Sequence, residues 1–354
     1  MLQSYAFQQL LIAEGHSVET INLRNDRQKY MYNHPLRIGR TSPSYRTIVG
    51  RLRDIKWLWG ECKRWDIFER FLKERLILTK EFHTWQEIKQ NLSSLNYDAI
   101  VVGADQVWNT FCYDFDWSYF LPGRIEETKK IAFSPSFGNE IPRTQEDRTL
   151  VSRIQKYLED FDAISVREDD ASRFLEGLLG KKIPVTADPT ILIDPALYQS
   201  FVKEPIIKEP YLYYYTPSHA PDYKAEEMAI ELSNQLGMKI VTSYPYFMRK
   251  TPMMSVVSGP EEFLNLLSNA QIVLGKSYHL VIFSVLFHKS FITLRRKGDS
   301  RINSLLGQLK ITGRNMEVLD DYKDLTDIDY RIVDEELSKL REKNIKYLRS
   351  IVKD

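Results

Sequence analysis

The residues in this chain that could do chemistry fall in short polar clusters, each placed after an apolar, strand-like run. Gly275-Lys276-Ser277-Tyr278-His279 follows Ile272–Leu274 and precedes an apolar helical stretch. His279 then stands at a helix N-terminus, where the helix dipole disfavours imidazolium; a neutral ring there suits a general base or an acid used transiently. Lys276 and Ser277, with the backbone N–H groups of the same turn, make a candidate seat for an anionic donor. Arg167 closes the run Ala163–Val166 ahead of Glu168, Asp169 and Asp170. Its guanidinium can fork onto a carboxylate or a phosphate. Ser136, Gly138 and Asn139 form a small polar loop after Lys130–Pro135, of the kind that lets backbone N–H groups approach an anion. After Asp98–Val102, Gly103 permits a tight turn, and Asp105, Gln106 and Asn109 set polar groups beside the indole of Trp108. Each cluster also has an architectural reading: Asp105 as a helix cap, Arg167 tied to the acids that follow it, His279 as a hydrogen-bonded structural residue.

The elements that must position these clusters alternate along the chain. Helical periodicity over Leu2–Ala13 gives way after Gly15 to a strand pattern in His16–Leu23. From Tyr30 to about Lys80 the sequence is rich in Arg, Lys and aromatics without a strand signal, and Ile55–Leu76 reads as helix. Strands are then expected at Asp98–Val102, Lys130–Pro135, Ala163–Arg167 and Ile183–Ala187, separated by segments long enough for helices. The proline-bearing stretch Pro189–Pro210 reads as a domain boundary. A second series follows, with strands at Tyr211–Tyr215, Lys239–Ser243, Ile272–Leu274 and Ser290–Thr293 and helices at Lys224–Leu236, Pro260–Asn269 and His279–Phe287. Asp334–Val352 has helical spacing with i,i+4 charge pairs. The expected organisation is a first α/β domain over residues 1–200 carrying a helical insertion at about 30–80, a second over 201–333, and a closing helix over 334–354. Parallel sheets bind ligands beyond the carboxyl ends of their strands, which is where the clusters fall.

Composition narrows the class. Across 354 residues, Lys and Arg nearly balance Asp and Glu for a formal net charge of +1, so no whole-protein field draws the chain to nucleic acid or anionic lipid. The basic, aromatic stretch Arg37–Lys80 has acids interspersed and reads as a solvated helical face. Cys62 and Cys112 stand far apart, as reduced thiols of a cytosolic protein do. His16, His34, His83, His219 and His288 show no ligand spacing with one another or with carboxylates, so no metal site is expected. The N-terminal segment is unlike a signal peptide, and the longest apolar run, Leu280–Phe287, is too short to span a bilayer. The expected setting is the cytoplasm, compatible with peripheral contact at the inner face of a membrane.

Taken in order, Tyr97-Asp98-Ala99-Ile100-Val101-Val102-Gly103-Ala104-Asp105-Gln106-Val107-Trp108-Asn109, Lys130-Ile131-Ala132-Phe133 with Ser136-Phe137-Gly138, Ile164-Ser165-Val166-Arg167-Glu168, Asp188-Pro189-Thr190 and Ser277-Tyr278-His279 with Phe283-Ser284 and Phe287-His288-Lys289-Ser290-Phe291 resemble the polysaccharide pyruvyl transferase family. The resemblance covers nearly the whole chain. It implies a GT-B-like fold, two Rossmann-like domains facing across a cleft, with the closing helix returning to the first domain. Members of the family begin with a strand and a small-residue loop ahead of the first helix, so the first strand of the N-terminal domain is expected to be missing here. The implied reaction moves pyruvate from phosphoenolpyruvate to a sugar of a surface polysaccharide or exopolysaccharide precursor, forming a cyclic ketal, with no other cofactor. Carried over by position, His279 serves as acid/base and Arg167 holds the donor. Lys276, Ser277, Ser136, Gly138 and Asn139 line the donor seat, and Asp105, Gln106, Trp108 and Asn109 line the cleft on the acceptor side. Tyr244 and Tyr246, in a loop after the second strand of the second domain, are aromatics suited to stacking on an acceptor sugar, which can be lipid-linked. Two positions depart from the family pattern: Ser277 stands where members tend to carry Arg, and Leu280 follows the histidine where Gly is usual. Two other functions fit the same residues: a glycosyltransferase using a nucleotide-sugar, and a non-catalytic carbohydrate-binding relative.

Overall fold

The computed structural model describes residues 1–26, 28, 55–95, 97–112, 114–138, 140–142, 146–217, 222–243, 253–294, 300–316 and 327–352. In chain order, the first elements are α1 (Leu2–Ala13), β1 (Thr20–Leu23), α2 (Ile55–Arg75), β2 (Leu78–Phe82), α3 (Trp85–Leu95), β3 (Ala99–Val102), β4 (Lys129–Ala132), α4 (Arg148–Leu158), β5 (Ala163–Ile164) and α5 (Asp169–Leu179). Then come α6 (Pro189–Leu192), α7 (Pro195–Gln199), β6 (Tyr211–Tyr215), α8 (Tyr223–Leu236), β7 (Lys239–Thr242), β8 (Met253–Ser255), α9 (Pro260–Asn269) and β9 (Ile272–Gly275). The last are α10 (Tyr278–Leu286), β10 (Phe291–Leu294), α11 (Ser300–Gln308), β11 (Asn315–Met316) and α12 (Tyr330–Val352). Every strand pair in the described residues is parallel. Among those residues no helix is long and apolar enough to cross a membrane.

The chain divides into two compact units. Unit 1 comprises Met1–Asn33, Arg75–Ile193 and Ser338–Asp354; unit 2 comprises His34–Glu74 and Asp194–Leu337. In unit 1, β1 pairs with β2, and β3, β4 and β5 form a separate sheet in that order. Helix α1 ties both sheets down. Its Gln8 side chain donates to Thr20 Oγ1 and Ile77 O, each at 3.0 Å, and accepts from Ile77 N at 2.9 Å, while Phe7 stacks on Phe133 at 5.4 Å. Within the remaining core, Trp108 lies flat on Phe120 at 5.1 Å and meets Phe137 and Phe161 at 5.6 and 6.1 Å. The C-terminal half of α12 belongs to this unit. There the buried Asn344 accepts from Ala187 N at 2.8 Å and donates to Leu340 O at 2.7 Å, and Arg341 Nε donates to Ile191 O at 2.7 Å.

Unit 2 holds one six-stranded sheet in the order β11-β10-β9-β6-β7-β8. Its first strand, β6, is central, with β7 and β8 to one side and β9, β10 and β11 to the other, which is the doubly wound Rossmann order. The run Tyr-Leu-Tyr-Tyr-Tyr of β6 is buried along nearly its whole length, as a strand covered on both faces must be. Tyr211 is able to sit there because its hydroxyl donates to Leu266 O at 2.6 Å.

Most expected elements are found within a residue or two of their expected bounds, and the departures have physical causes. The polar segment Leu-Thr-Lys-Glu-Phe is strand β2, not a strandless stretch; it pairs on one edge only, so Lys80 and Glu81 face solvent and no apolar run marks it. The short strand β8 went unread for the same reason: it is the edge of the unit 2 sheet. Expected strand Ile183–Ala187 is a single bridge, Val166 to Val185. Residues 55–74, within the insertion expected at about 30–80 in the first domain, cluster with unit 2, because α2 buries Phe71 against Phe201 at 6.1 Å and Ile67 against the bare Cα of Gly259.

Removing the Asn344 side chain takes away the hydrogen-bond partner of the part-buried Ala187 N–H, a loss worth about 0.5–1.5 kcal/mol. Asn344→Ala is therefore expected to lower the urea midpoint clearly, whereas Arg349→Ala, which breaks only an exposed pair with Glu14, should shift it by less than about 0.5 kcal/mol.

Candidate functional site

In unit 1 the loops beyond β3, β4 and β5 continue the ladder past the strands. Ser136 N donates to Asp105 O at 2.8 Å, and Arg167 N donates to Pro135 O at 3.2 Å. Asp105, Ser136 and Arg167 are thereby set side by side at one edge of the sheet, from positions up to 62 residues apart in sequence. Arg167 is the best anchored of the three. Its side chain is 2% exposed, with Nη1 on Asp188 Oδ2 at 2.6 Å and Nη2 at 3.6 Å from Asp105 Oδ1. The opposite oxygen of Asp188 caps α6, accepting from Thr190 N at 3.0 Å and Thr190 Oγ1 at 2.7 Å. The guanidinium is thus turned onto two carboxylates of its own unit.

Beside it, Ser136 Oγ donates to the buried Glu168 Oε1 at 2.6 Å and accepts from Gly138 N at 2.9 Å, while Phe137 N donates to the same Glu168 oxygen at 3.0 Å. Ser136 is fully buried and so belongs to the support of the loop. Gly138 adopts φ +71, and a Cβ there would fall 2.5 Å from Gln106 Oε1 and 2.7 Å from Asn109 Nδ2. Those two amides are joined by a 3.1 Å hydrogen bond. Trp108, expected beside a ligand, is instead fully buried, its indole N–H donating to Tyr119 O at 2.8 Å. Stacking inside the aromatic core gains more from that ring than an exposed cleft wall would. Asn139 lies outside the described residues.

In unit 2 the corresponding edge is the switch point between β6 and β9, where neighbouring strands lead to opposite sides of the sheet and leave an opening for ligands. Gly275 ends β9 here. Any Cβ on it would sit 1.8 Å from Tyr215 O, so only glycine lets the two strands stay paired at this end. Lys276 follows, its N donating to Tyr215 O at 3.3 Å and its ammonium paired with Asp222, whose other oxygen caps α8 by accepting from Ala225 N at 3.2 Å. Burial, with Asp222 alongside, pushes the neighbouring Glu226 carboxyl above the usual range. Ser277 is the N-cap of α10, accepting from Leu280 N at 3.4 Å, which puts His279 in the first turn of that helix. Its ring is half-buried and packs edge-on to Tyr278 at 5.8 Å. Leu280 is buried beneath the turn, close to Gly275. Tyr244 and Tyr246 lie outside the described residues.

Of Asp188, Glu168 and Asp222, only Glu168 had an expected contact, with Arg167; its Oε1 accepts from Ser136 Oγ and Phe137 N. All three stand one position ahead of a helix, Asp188 before Pro189, but a cap position looks the same in sequence whatever its carboxylate oxygens grip.

A family model described as polysaccharide pyruvyl transferase matches residues 1–298. No curated protein matches the chain significantly. Among solved structures, the Staphylococcus aureus MnaA–UDP complex is similar over 94% of this chain and 96% of its own, at 11% identity and a TM-score of 0.50. Neisseria meningitidis UDP-GlcNAc 2-epimerase bound to UDP-GlcNAc is similar over 99% of this chain and 90% of its own, at 10% identity and a TM-score of 0.50. At that identity the likeness concerns the fold, which is GT-B-like and α/β with parallel sheets.

Because a buried ion pair that loses one partner leaves the other charge uncompensated, Arg167→Ala is expected to cost about 3–5 kcal/mol in a thermal or urea melt. Gly275→Ala should cost about 1–3 kcal/mol in the same melt by overpacking the strand end.

Proposed function

The chain belongs to the polysaccharide pyruvyl transferase family, and from that premise we propose that it transfers pyruvate from phosphoenolpyruvate to a sugar of a surface polysaccharide or its precursor. The observation that carries this reading is the unit 2 switch point, where Lys276 and His279 stand three residues apart on a turn whose helix begins at Tyr278. An ammonium and the N–H groups of a first helical turn suit the phosphate of the donor. An imidazole in that first turn suits proton transfer to the donor's methylene carbon.

The chemistry balances without another reactant. Protonation of the methylene carbon of phosphoenolpyruvate makes the enol carbon electrophilic. One acceptor hydroxyl adds there and loses its proton, phosphate departs with the C–O bond electrons, and the second hydroxyl adds to close the ketal. Of the two acceptor protons, one ends on the new methyl group and one on phosphate. In this reading His279 delivers the first proton and is recharged by an acceptor hydroxyl, and Lys276, held in place by Asp222, offsets charge on the departing phosphate. Phosphoenolpyruvate is made in the cytoplasm, so the reading puts the reaction there, at the inner membrane face if the acceptor is lipid-linked.

A thermal-shift titration needs no knowledge of the acceptor. Phosphoenolpyruvate at about 100 times its dissociation constant should add about 2.7 kcal/mol, a rise of several degrees. The rise should vanish in Lys276→Met and survive in His279→Gln, which instead loses about 10²–10⁴-fold in turnover once an acceptor is supplied. A protein stabilised by UDP-GlcNAc and indifferent to phosphoenolpyruvate would sink the proposal.

A further inference from the structure

Beside the Lys276–Asp222 pair, unit 2 buries a second acid, Glu226. It stands in the first turn of α8, one helical turn after Asp222, and its N donates to Asp222 O at 2.9 Å. Residues at that spacing share one face of a helix. Glu226 is 6% exposed, yet among the described residues its carboxyl group makes no hydrogen bond and no ion pair. The Lys276 ammonium pairs with Asp222 instead. Two strands pack on α8. From β6 comes Tyr214, whose hydroxyl burial keeps protonated, with Glu226 and Asp222 nearby pushing it the same way. From β7 comes Lys239, which opens that strand and pairs with Glu209 at 3.6 Å. A buried carboxylate next to another carboxylate and without a cation of its own is costly, so the neutral acid is the form this corner favours. Burial first, then Asp222, accordingly raise the Glu226 carboxyl above its usual range. A neutral acid that makes no hydrogen bond adds nothing to the fold that an apolar side chain of its size would not. What sets it apart from a methionine is that it can become charged.

We infer that Glu226 is a positioning residue of the unit 2 site: while neutral it leaves Asp222 as the single charge opposing Lys276, and once ionised it draws the ammonium inward and weakens its hold on an anionic ligand; the assignment rests on the reading of Lys276 given above. Glu226 acts through Asp222, without touching the ligand. With Glu226 neutral, the Asp222 and Lys276 charges cancel. With Glu226 ionised, the three groups carry a net negative charge, and a phosphate brought to Lys276 is repelled. Affinity for an anion therefore falls as pH rises through the Glu226 titration, and the fall lies above the ordinary carboxylate range because burial and Asp222 both act upward.

Glu226→Gln and Glu226→Met both remove the titration and keep the length of the side chain. A role in hydrogen bonding or packing would separate the amide from the thioether; a role of charge would not. Dissociation constants for phosphoenolpyruvate would be measured with the three proteins from about pH 5 to about pH 8.5, each variant against wild type at the same pH so that the ligand's own titration cancels. The expected ratio is near one at the lowest pH, with wild type binding about tenfold more weakly than either variant at the highest. A ratio that does not move with pH overturns the assignment, as do variants that differ from each other as much as from wild type. Failure of both variants to fold would make the carboxyl structural and overturn it as well. A second readout needs no ligand. Reductive ¹³C-methylation leaves lysines charged, and the methyl resonance of Lys276, identified by its loss in Lys276→Arg, should show an inflection above the ordinary carboxylate range in wild type and none in either variant. No such inflection in wild type overturns the assignment whatever the protein binds. An inflection that both variants abolish, in a protein indifferent to phosphoenolpyruvate, upholds the assignment and counts against the donor reading alone.

Discussion

Burying a guanidinium without a counter-charge costs several kcal/mol, and unit 1 buries one where three strands end. Arg167 therefore dictates much of what surrounds it. Asp188 has to lie within hydrogen-bond distance, which fixes the chain after β5 and its return toward α6, and the same aspartate caps that helix with its other oxygen. Glu168, next in sequence, turns the opposite way and holds the Ser136–Gly138 loop by a hydroxyl and a backbone N–H. Asp105 keeps half of its side-chain surface exposed, with the half-buried Gln106 beside it and Asn109 buried beneath. The polar edge is thus a layered object in which the inner residues spend their hydrogen-bonding capacity on one another and the outer ones are presented by them.

Unit 2 solves the same problem with backbone rather than charge. The first strand and the fourth must stay paired to their carboxyl ends and then send their chains to opposite sides. Gly275 makes that possible by bringing its bare Cα against Tyr215 O, and Ser277 starts the next helix at once. Lys276 and His279 owe their positions to that abrupt turn. Lys276 is held by an aspartate that also caps the helix after β6, so the side chain is oriented by elements from both sides of the switch point.

Much of this architecture was legible along the chain. Continuous apolar runs such as Ile-Val-Leu-Gly and Tyr-Leu-Tyr-Tyr-Tyr mark central parallel strands, and helix α9 begins and ends where its proline and its apolar spacing say it should. Two edge strands were not legible. Leu78–Phe82 and Met253–Ser255 pair on one side only, so polar residues cost them nothing and the pattern that betrays a buried strand is missing. The affiliation of α2 was equally hidden, since an amphipathic helix advertises that it has a buried face without saying against which sheet.

By itself the sequence determined the parallel α/β class, most of the central strands and helices, and the places where polar residues follow strands, because periodicity and strand-end chemistry are local properties of a chain. Only the tertiary structure decided which of those polar residues face outward. Arg167, Ser136 and Trp108 are chemically as capable as Asp105 and Gln106, and nothing within a few residues of each distinguishes them. Their burial is set by partners at Asp188, Glu168 and Tyr119, brought close by the ladder and by the packing of the loops. Whether a polar group is support or site depends on how much of its hydrogen-bonding capacity the fold has already used, and that is a property of contacts between segments distant in sequence.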